Sequence, residues 1–258
     1  MRELPVRVGI QQRILPAYRV TFFDALASIC GCGLCVFAGK ASPEEGVLEG
    51  NLQLASLHPA QNAQIPGDPL HLMMQTNILE WLNEWQPDIL IAEANPRVLS
   101  TTGAVRWMHH RGRKVIGWGL GAQTDNGALR MIKNSLRNQF LLQFDAVVAY
   151  SQAGADQYIK AGFPSTRVFI APNAVTFRPP HREIIRKDRK TGGKPVVLFV
   201  GRLQERKRLD LLFKACASLP VDIKPELWIV GDGPAASLQA LMAPRWSPAR
   251  AARSPMRS

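Results

Sequence analysis

Cysteines are scarce in this chain: its 258 residues include four, too few for the disulfide framework of a small secreted protein. Cys30, Cys32 and Cys35 cluster where a helix ends and a strand begins, but no fourth ligand lies nearby, so we predict no metal site. Apolar runs are also short, and none approaches the about 20 residues of a membrane-spanning helix. The N-terminus shows no signal peptide, because residues 1–5 run directly into a short strand. We therefore expect a cytoplasmic protein.

Acidic residues are scarce in two segments of the C-terminal half. Residues 178–194 contain seven lysines and arginines against Glu183 and Asp188, and residues 244–258 contain four arginines and no acid. These segments carry most of the net charge of +12. Such charge favours anionic lipids, nucleotide phosphates or nonspecific nucleic acid as partners, or is simply solvated. The chain lacks interleaved basic and aromatic residues, which argues against a specific nucleic-acid partner.

Short β-branched runs alternate with segments of helical periodicity, a pattern typical of an α/β protein with parallel sheets. We predict strands at residues 6–10, 34–38, 52–57, 89–92, 114–118, 146–149, 168–170, 195–200 and 227–230. Helices are predicted at residues 22–29, 70–85, 98–111, 128–143, 154–161, 209–218 and 237–241. The rhythm is interrupted once, before residue 195, which indicates two doubly wound, Rossmann-like domains. Ligands of such domains bind at the carboxyl ends of the strands, so two facing domains create a cleft.

The domain limits follow from composition. We place an N-terminal domain at residues 1–173, a basic linker at 174–194 and an incomplete C-terminal domain at 195–243. Two strands and two helices are too few to build an open sheet with a full core. Residues 244–258 hold three prolines and no apolar periodicity, so we predict a disordered tail. The abrupt change of composition at this tail resembles a changed reading frame, and we expect a truncated C-terminus.

An anion site is predicted where the second domain begins. The apolar strand at residues 195–200 ends at Gly201, and Arg202 and Lys207 follow in the turn that opens the next helix. Free backbone N–H groups and the positive end of the helix dipole attract anions at such a position. Arginine can donate to two phosphate oxygens at once, and lysine adds a compact charge. These features predict a phosphate-binding site.

Polar residues also follow two strands of the first domain. Gln12 and Arg13 come after the first predicted strand, and Glu93 and Asn95 come after the strand at residues 89–92. Because parallel strands end at the same edge of a sheet, we expect these four residues to face the cleft.

The glycines after the strand at residues 114–118 suggest a nucleotide-binding turn. Residues 117–122 read superficially as the dinucleotide fingerprint GxGxxA. That fingerprint requires an acid at the end of the following strand, which instead ends in Ala149, Tyr150 and Ser151. A nicotinamide cofactor is therefore excluded, and we predict that Gly119 and Gly121 line the cleft.

Several motifs together resemble the GT-B glycosyltransferases of family 4. The segment from Val200 to Leu203, with Lys207, resembles the start of the family's donor domain, and the turn from Val230 to Pro234 resembles its next glycine turn. Residues 171–175 resemble the Pro-Asn-x-Val-Asp crossover that ends the first domain, with Thr176 in place of the aspartate. The glycine-rich turn that family members often carry after the first strand is absent, which weakens the transfer of that loop's role to Gln12 and Arg13.

This resemblance implies a retaining transfer of sugar from a nucleotide-diphosphate donor to a glycan, lipid-linked or small-molecule acceptor, with no bound metal or cofactor. It places the protein in polysaccharide biosynthesis. Arg202 and Lys207, with Gly201, would bind the donor phosphates. Gly231, Asp232 and Gly233 would border the nucleotide, although a tight turn with Asp232 capping the next helix explains them almost as well. Asn173 joins the candidate acceptor cleft, and no catalytic residue is identified.

The acidic part of the family's donor site is missing. The family carries two glutamates separated by seven residues later in the domain, whereas this chain has no glutamate after Glu226. The resemblance therefore implies an enzyme impaired by truncation. The alternative is a non-catalytic remnant that folds only as the acceptor-side domain.

The predicted helix at residues 128–143 is amphipathic. Arg130, Lys133 and Arg137 lie along one side, and Leu129, Ile132, Leu136 and Phe140 lie along the other. This pattern fits a stripe that contacts an anionic membrane. An ordinary surface helix with its apolar side toward the core fits equally well.

Overall fold

The computed structural model describes residues 3–42, 45, 47–64, 68, 71–122, 130–172, 195–231 and 233. The chain divides into two compact units, one formed by Met1–Ala41 and Val47–Arg178 and the other by Ser42–Gly46 and Pro179–Ser258. The linker predicted at residues 174–194, the helix predicted at 237–241 and the tail predicted at 244–258 lie outside the described residues. Those domain limits therefore stay predictions.

A parallel sheet of seven strands forms the centre of the first unit. The strands of this unit are β1 (Val8–Ile14), β2 (Leu34–Gly39), β3 (Ser56–Pro59), β4 (Asn62–Gln64), β5 (Met73–Gln75), β6 (Ile89–Glu93), β7 (Lys114–Gly119), β8 (Ala146–Ala149) and β9 (Val168–Ile170). The main sheet has the order β3-β2-β1-β6-β7-β8-β9, and every neighbouring pair in it is parallel. The short strands β4 and β5 pair with each other in antiparallel orientation. The strand order reverses at β1, which makes the sheet doubly wound as predicted.

Alternating residues of the strands fill two buried clusters, one on each face of the sheet. The helices are α1 (Val20–Ala27), α2 (Ile78–Trp85), α3 (Ser100–His110), α4 (Arg130–Leu141) and α5 (Gln152–Lys160). Trp81 of α2, Met108 of α3 and Tyr158 of α5 belong to the larger cluster, and Phe23 of α1 belongs to the other. Full burial of such a side chain contributes roughly 1.5–3 kcal/mol, so these clusters stabilise the unit.

Two predicted elements of the first unit begin several residues later than expected. The helix predicted at residues 70–85 begins only at Ile78, because β5 precedes it and pairs with β4. The strand predicted at 52–57 begins only at Ser56. The carboxylate of Asp24 accepts hydrogen bonds from the backbone N–H groups of residues 53–55, at 2.9–3.1 Å, and so occupies the donors that a strand would use.

The second unit contains one strand–helix–strand segment in its described part. Strand β10 (Val196–Val200) and strand β11 (Glu226–Val230) pair in parallel, and α6 (Leu209–Ala217) connects them. One face of the pair is buried with the helix, through a small core of Leu203, Leu209, Phe213, Leu227 and Ile229. The opposite face leaves Leu198 and Trp228 exposed at paired positions. The second unit is thus a partial domain, as predicted from its few elements.

Within the described ranges, no helix is both long and apolar enough to cross a membrane. The same ranges bring together no group of three or more His, Cys, Asp or Glu side chains that would suit a metal ion.

Candidate functional site

The carboxyl ends of four adjacent strands bring three of the predicted acceptor-side residues together, namely Gln12, Arg13 and Glu93. β1, β6, β7 and β8 are neighbours in the sheet, and they carry Gln12, Glu93, Trp118 and, just after β8, Tyr150. Because the strands are parallel, these ends lie at one edge, where ligands of doubly wound sheets bind.

Gln12 and Arg13 lie within β1 and not in a loop after it, so the predicted end of the first strand at residue 10 is wrong. β1 continues because Gln11 and Gln12 pair with Phe37 and Ala38 of β2. The predicted juxtaposition nevertheless occurs, since the backbone N–H of Arg13 donates to Oε1 of Glu93 at 2.9 Å.

A network of buried amide side chains holds this edge, and the sequence analysis missed it. Nε2 of Gln11 donates to Oε1 of Gln75 at 2.8 Å, and Oγ1 of Thr101 donates to Oε1 of Gln11 at 3.2 Å. Nε2 of Gln75 also donates to Oδ1 of Asn62 and to the carbonyl of Gln12, both at 3.0 Å. Gln11, Gln75 and Thr101 are almost fully buried. Buried polar groups cost free energy unless they are paired, so the network fixes the end of β1 against β4, β5 and α3.

Arg19 is the central cation of this edge, and it was also missed. It ends the short 3-10 turn Ala17–Arg19 that follows β1. Nη2 of Arg19 donates to the hydroxyl of Tyr150 at 2.8 Å, and Nη1 donates to Oε1 of Gln12. Its guanidinium carbon lies 4.8 Å from the centre of the Trp118 ring and 5.9 Å from that of Tyr18. We call Gln12, Tyr18, Arg19, Trp118 and Tyr150 the Arg19 cluster.

Two donors of the Arg19 cluster are buried without a partner. Nε of Arg19 and Nε1 of Trp118 make no hydrogen bond in the described part of the chain. Among the described residues, Arg19 donates hydrogen bonds to Gln12 and Tyr150, whose side chains are neutral. Unpaired buried donors are rare in folded proteins, and each one calls for an explanation, such as a functional role or a bound water or ion. Tyr18 and the neighbouring Phe22 are partly exposed. The cluster therefore combines partly exposed aromatic rings with buried donors that lack a partner among the described residues.

Burial and neighbouring side chains together shift the pKa values of this edge. Burial raises the pKa of Glu93, although Arg19 and Arg13 and the hydrogen bond from Arg13 act in the opposite direction. Burial likewise raises the pKa of Tyr150, so its phenol stays neutral. Burial disfavours the charged form of Arg19, but contacts with Tyr150 and Tyr18 outweigh it and raise the pKa. The edge thus combines a permanent cation with a carboxyl group that is protonated more easily than usual.

The remaining predicted acceptor-side residues have local roles that the structure defines. Oδ1 of Asn95 accepts the backbone N–H of Arg97 at 3.1 Å in its own exposed turn. A Cβ on Gly119 would lie 2.7 Å from the Tyr158 hydroxyl, and one on Gly121 would lie 2.8 Å from Cα of Gly154. Both glycines therefore allow the loop after β7 to pack on α5. Their contact with a ligand stays a prediction, and Asn173 lies outside the described residues.

In the second unit, the turns after β10 and β11 pack backbone against backbone. The N–H of Gly201 donates to the carbonyl of Val230 at 2.9 Å. A Cβ on Gly231 would overlap the carbonyl of Gly201, and one on Gly233 would lie 2.9 Å from the backbone nitrogen of Leu203. Only glycine permits this approach. Asp232, between them, lies outside the described residues.

Arg202 follows directly after this pair of turns. It is partly buried, and its Nη2 is buried without a hydrogen-bond partner among the described residues. Lys207 is exposed at the end of the 3-10 turn Glu205–Lys207. The next helix, α6, begins at Leu209, after Arg208 has adopted a left-handed conformation and donated two hydrogen bonds to Asp210. The predicted strand, turn and helix are present in this order.

These features define an α/β protein of the GT-B type whose second domain is partial. The chain matches the family described as Glycosyltransferase Family 4 over residues 26–177, and the group described as Glycosyl transferases group 1 over residues 181–243. It therefore belongs to Glycosyltransferase Family 4. No curated protein matches the chain in sequence.

Solved structures with the same fold include two glycosyltransferases. The apo form of the lipopolysaccharide outer core galactosyltransferase WaaB is 16% identical, with a TM-score of 0.55 over 93% of this chain and 64% of its own. HepE (Alr3699) from Anabaena, in complex with UDP, is 14% identical, with a TM-score of 0.56 over 95% of this chain and 66% of its own. The chain thus spans about two thirds of the length of both proteins.

The fold also occurs in an enzyme of another class. A UDP-N-acetylglucosamine 2-epimerase from Rickettsia bellii is 11% identical, with a TM-score of 0.55 over 97% of this chain and 69% of its own. At such identities the likeness shows the fold alone, so the reaction must be argued from the site.

Proposed function

We propose that this protein acts in the transfer of a glycosyl group from a nucleotide-diphosphate sugar to a carbohydrate or lipid-linked acceptor, with retention at the anomeric carbon. Membership of Glycosyltransferase Family 4 supports this reaction class over that of the epimerases of similar fold. HepE was crystallised with UDP and with UDP-glucose, so UDP-sugars are the first donors to test.

The observation that supports donor binding is that Nη2 of Arg202 is buried without a hydrogen-bond partner among the described residues. A buried guanidinium nitrogen without a partner loses the free energy of its hydrogen bonds to water, which a phosphate oxygen would restore. Arg202 stands just after the carboxyl end of β10, where the glycine turns allow two backbone segments to pack closely. Arg202 and Lys207 would neutralise the negative charge that grows on the leaving diphosphate in the transition state.

For the acceptor side, we assign binding to the Arg19 cluster. Sugars present C–H faces that pack on aromatic rings and hydroxyl groups that accept hydrogen bonds. The cluster offers the partly exposed ring of Tyr18, the unpaired Nε1 of Trp118 and the unpaired Nε of Arg19. A carbohydrate acceptor matches this combination better than a purely apolar molecule does.

The donor proposal is tested by calorimetric titration of UDP into the wild type and two arginine variants. We expect weak binding by the wild type, and a loss on the order of tenfold to 100-fold in Arg202→Ala, from about 1.5–3 kcal/mol for a hydrogen bond to a charged group. Arg206→Ala is the control, because Arg206 lies in the same turn but is exposed and donates to Gln204. Equal UDP affinity of Arg202→Ala and the wild type would refute the assignment. If the wild type neither binds UDP nor releases it from UDP-sugars, the result would favour the alternative, that the chain is a non-catalytic remnant that folds only as the acceptor-side domain.

A further inference from the structure

Arg19 is a partly buried cation whose hydrogen bonds in the described part of the chain go to neutral side chains. Its two Nη atoms donate to Oε1 of Gln12 and to the hydroxyl of Tyr150. Among the described residues, Arg19 forms no ion pair with a carboxylate. A guanidinium group taken out of water loses hydration, and neutral acceptors offset only part of that loss. The position therefore favours a negative charge beside Arg19.

Glu93 does not supply this negative charge at close range. It interacts with Arg19 through space, but its Oε1 accepts the backbone N–H of Arg13 at 2.9 Å. Burial also raises the pKa of Glu93, so its carboxyl group ionises less readily than an exposed one. Among the described residues, a close counterion for Arg19 is thus missing.

Two donors of the Arg19 cluster are available to such a counterion. Nε of Arg19 and Nε1 of Trp118 are buried without a partner among the described residues. The two groups are in contact, because the guanidinium carbon of Arg19 lies 4.8 Å from the centre of the Trp118 ring. Tyr18 is the one exposed member of the cluster, and its ring centre lies 5.9 Å from the same carbon. Its ring can therefore move aside to admit a ligand at lower cost than the buried rings.

The number and charge of these donors favour a carboxylate. A carboxylate has two oxygens, which two N–H donors can serve, and its charge pairs with the guanidinium. A phosphate group has three strong acceptor oxygens and would keep at least one of them unserved. A sugar hydroxyl could accept from either donor, but it would leave the charge of Arg19 without a counterion.

We infer that the acceptor is an acidic sugar, whose carboxylate binds Nε of Arg19 and Nε1 of Trp118. This inference rests on the acceptor assignment proposed above, and it narrows the acceptor from carbohydrates in general to those of the uronic acid type.

A comparison of two methyl glycosides tests the inference on the full chain. Methyl glucuronide and methyl glucoside differ only in that a carboxylate replaces a hydroxymethyl group. Nitrogen–proton NMR reads the indole N–H groups, and the signal that is lost in Trp118→Phe belongs to Trp118. We expect methyl glucuronide to shift this signal, and to bind at least tenfold more tightly than methyl glucoside, the factor for a hydrogen bond between charged groups. Inorganic phosphate should bind more weakly than the glucuronide.

Variants locate the carboxylate, with dissociation constants taken from the backbone N–H signals that move in the same titrations. Arg19→Gln should remove the preference for the glucuronide. Trp118→Phe keeps an aromatic ring but loses the Nε1 donor, so it should weaken glucuronide binding about threefold to tenfold, and it tests the inference even if Arg19→Gln does not fold. Arg106→Gln is the matched control, because Arg106 is exposed on α3, and it should change the affinity less than twofold.

Each contrary outcome has a distinct meaning. Equal affinity for the two glycosides would overturn the carboxylate and leave the acceptor assignment intact. Tighter binding of inorganic phosphate, or a glucuronide preference that survives in Arg19→Gln, would also overturn the carboxylate assignment. If neither glycoside shifts the Trp118 signal, both the inference and the assignment of acceptor binding to the Arg19 cluster are wrong. Donor binding is judged separately, by the UDP titration of the Arg202 variant.

Discussion

At the scale of single residues, Arg19 connects parts of the first unit that are far apart in sequence. It contacts Gln12 in β1, Trp118 in β7 and Tyr150 after β8. Arginine suits this position because its planar fork reaches two acceptors while its face stacks on an aromatic ring. Nothing in the local sequence around Arg19 indicates this role, since the partners meet only after the sheet has formed.

The contribution of this fork can be measured. Arg19→Lys should lower the free energy of unfolding by about 1–3 kcal/mol, because an ammonium group cannot satisfy both acceptors and leaves a buried oxygen unpaired. Tyr150→Phe should cost less, about 0.5–1.5 kcal/mol, since it removes one of the two hydrogen bonds. Urea unfolding gives both values. Arg106→Lys on the exposed side of α3 should be neutral within about 0.5 kcal/mol. If Arg19→Lys left the free energy of unfolding unchanged, only the positive charge of Arg19, and not its two hydrogen bonds, would contribute to stability.

Asp24 provides a pH-dependent test at the same scale. Burial acts to raise its pKa, but hydrogen bonds from the N–H groups of Ala55, Leu54 and Gln53 outweigh burial and lower the pKa below the ordinary 3.8. Stability from a lowered carboxyl pKa is fully present above the unfolded pKa, and it is lost as the pH falls through the folded pKa. Asp24→Ala should therefore destabilise the protein by about 1.5–3 kcal/mol at neutral pH.

The difference in stability between the wild type and Asp24→Ala should shrink as the pH falls below about 4. Unfolding by urea at a series of pH values measures it. Asp156→Ala is the control, because Asp156 is exposed and its carboxylate accepts a hydrogen bond only from Gln152 of its own helix in the described contacts. A difference that stays constant down to pH 3 would contradict the role assigned to the Asp24 carboxylate.

At the scale of helices and strands, two glycines allow the effect of helix propensity on stability to be distinguished from the effect of side-chain packing. Gly103 lies inside α3, and a Cβ there would meet nothing within 4 Å, whereas a Cβ on Gly117 of β7 would lie 2.9 Å from the ring of Phe144. Gly103→Ala should thus stabilise the first unit by about 0.5–1 kcal/mol, as expected for glycine to alanine in a helix. Gly117→Ala should destabilise it by about 1–3 kcal/mol through overpacking. Thermal unfolding compares the two, and a destabilising Gly103→Ala would mean that α3 does not have this open side.

Local sequence predicted most strands and helices, because the buried strands of a parallel sheet are short apolar runs with clear ends. β6, β7 and β8 fall within a residue of their predicted limits. Prediction from local sequence failed where a side chain distant in sequence determines the backbone conformation, as Asp24 does for the residues before β3. It also failed where polar residues are buried, as Gln11 and Gln12 are in β1. The exposure of Met131, Ile132 and Leu136 on α4 could not be predicted either. An amphipathic pattern shows that a helix has an apolar side and a polar side, but it does not show which side faces the core.

At the scale of the whole molecule, the two units differ in how much core each contains. The first unit combines a seven-stranded sheet with buried clusters on both faces, which is the composition of an independently folding domain. The described part of the second unit has a two-stranded sheet with one small buried cluster, and it leaves Leu198 and Trp228 exposed on the opposite face. A sheet of two strands is marginally stable at best. The site residues of the first unit should therefore be held more rigidly than Arg202 and Lys207.

This difference predicts the behaviour of the separated halves. Residues 1–178 alone should unfold in a single cooperative thermal transition, within a few degrees of the main transition of the full chain, because the buried clusters of the first unit remain complete. Residues 179–258 alone should show no cooperative transition, since their core buries too little apolar surface to offset the loss of chain entropy. Calorimetry of the two pieces and of the full chain makes the comparison. An unfolded 1–178 piece would mean that the second unit supplies part of the first unit's stability. In that case weak donor binding by the full chain could no longer be attributed to the second unit alone.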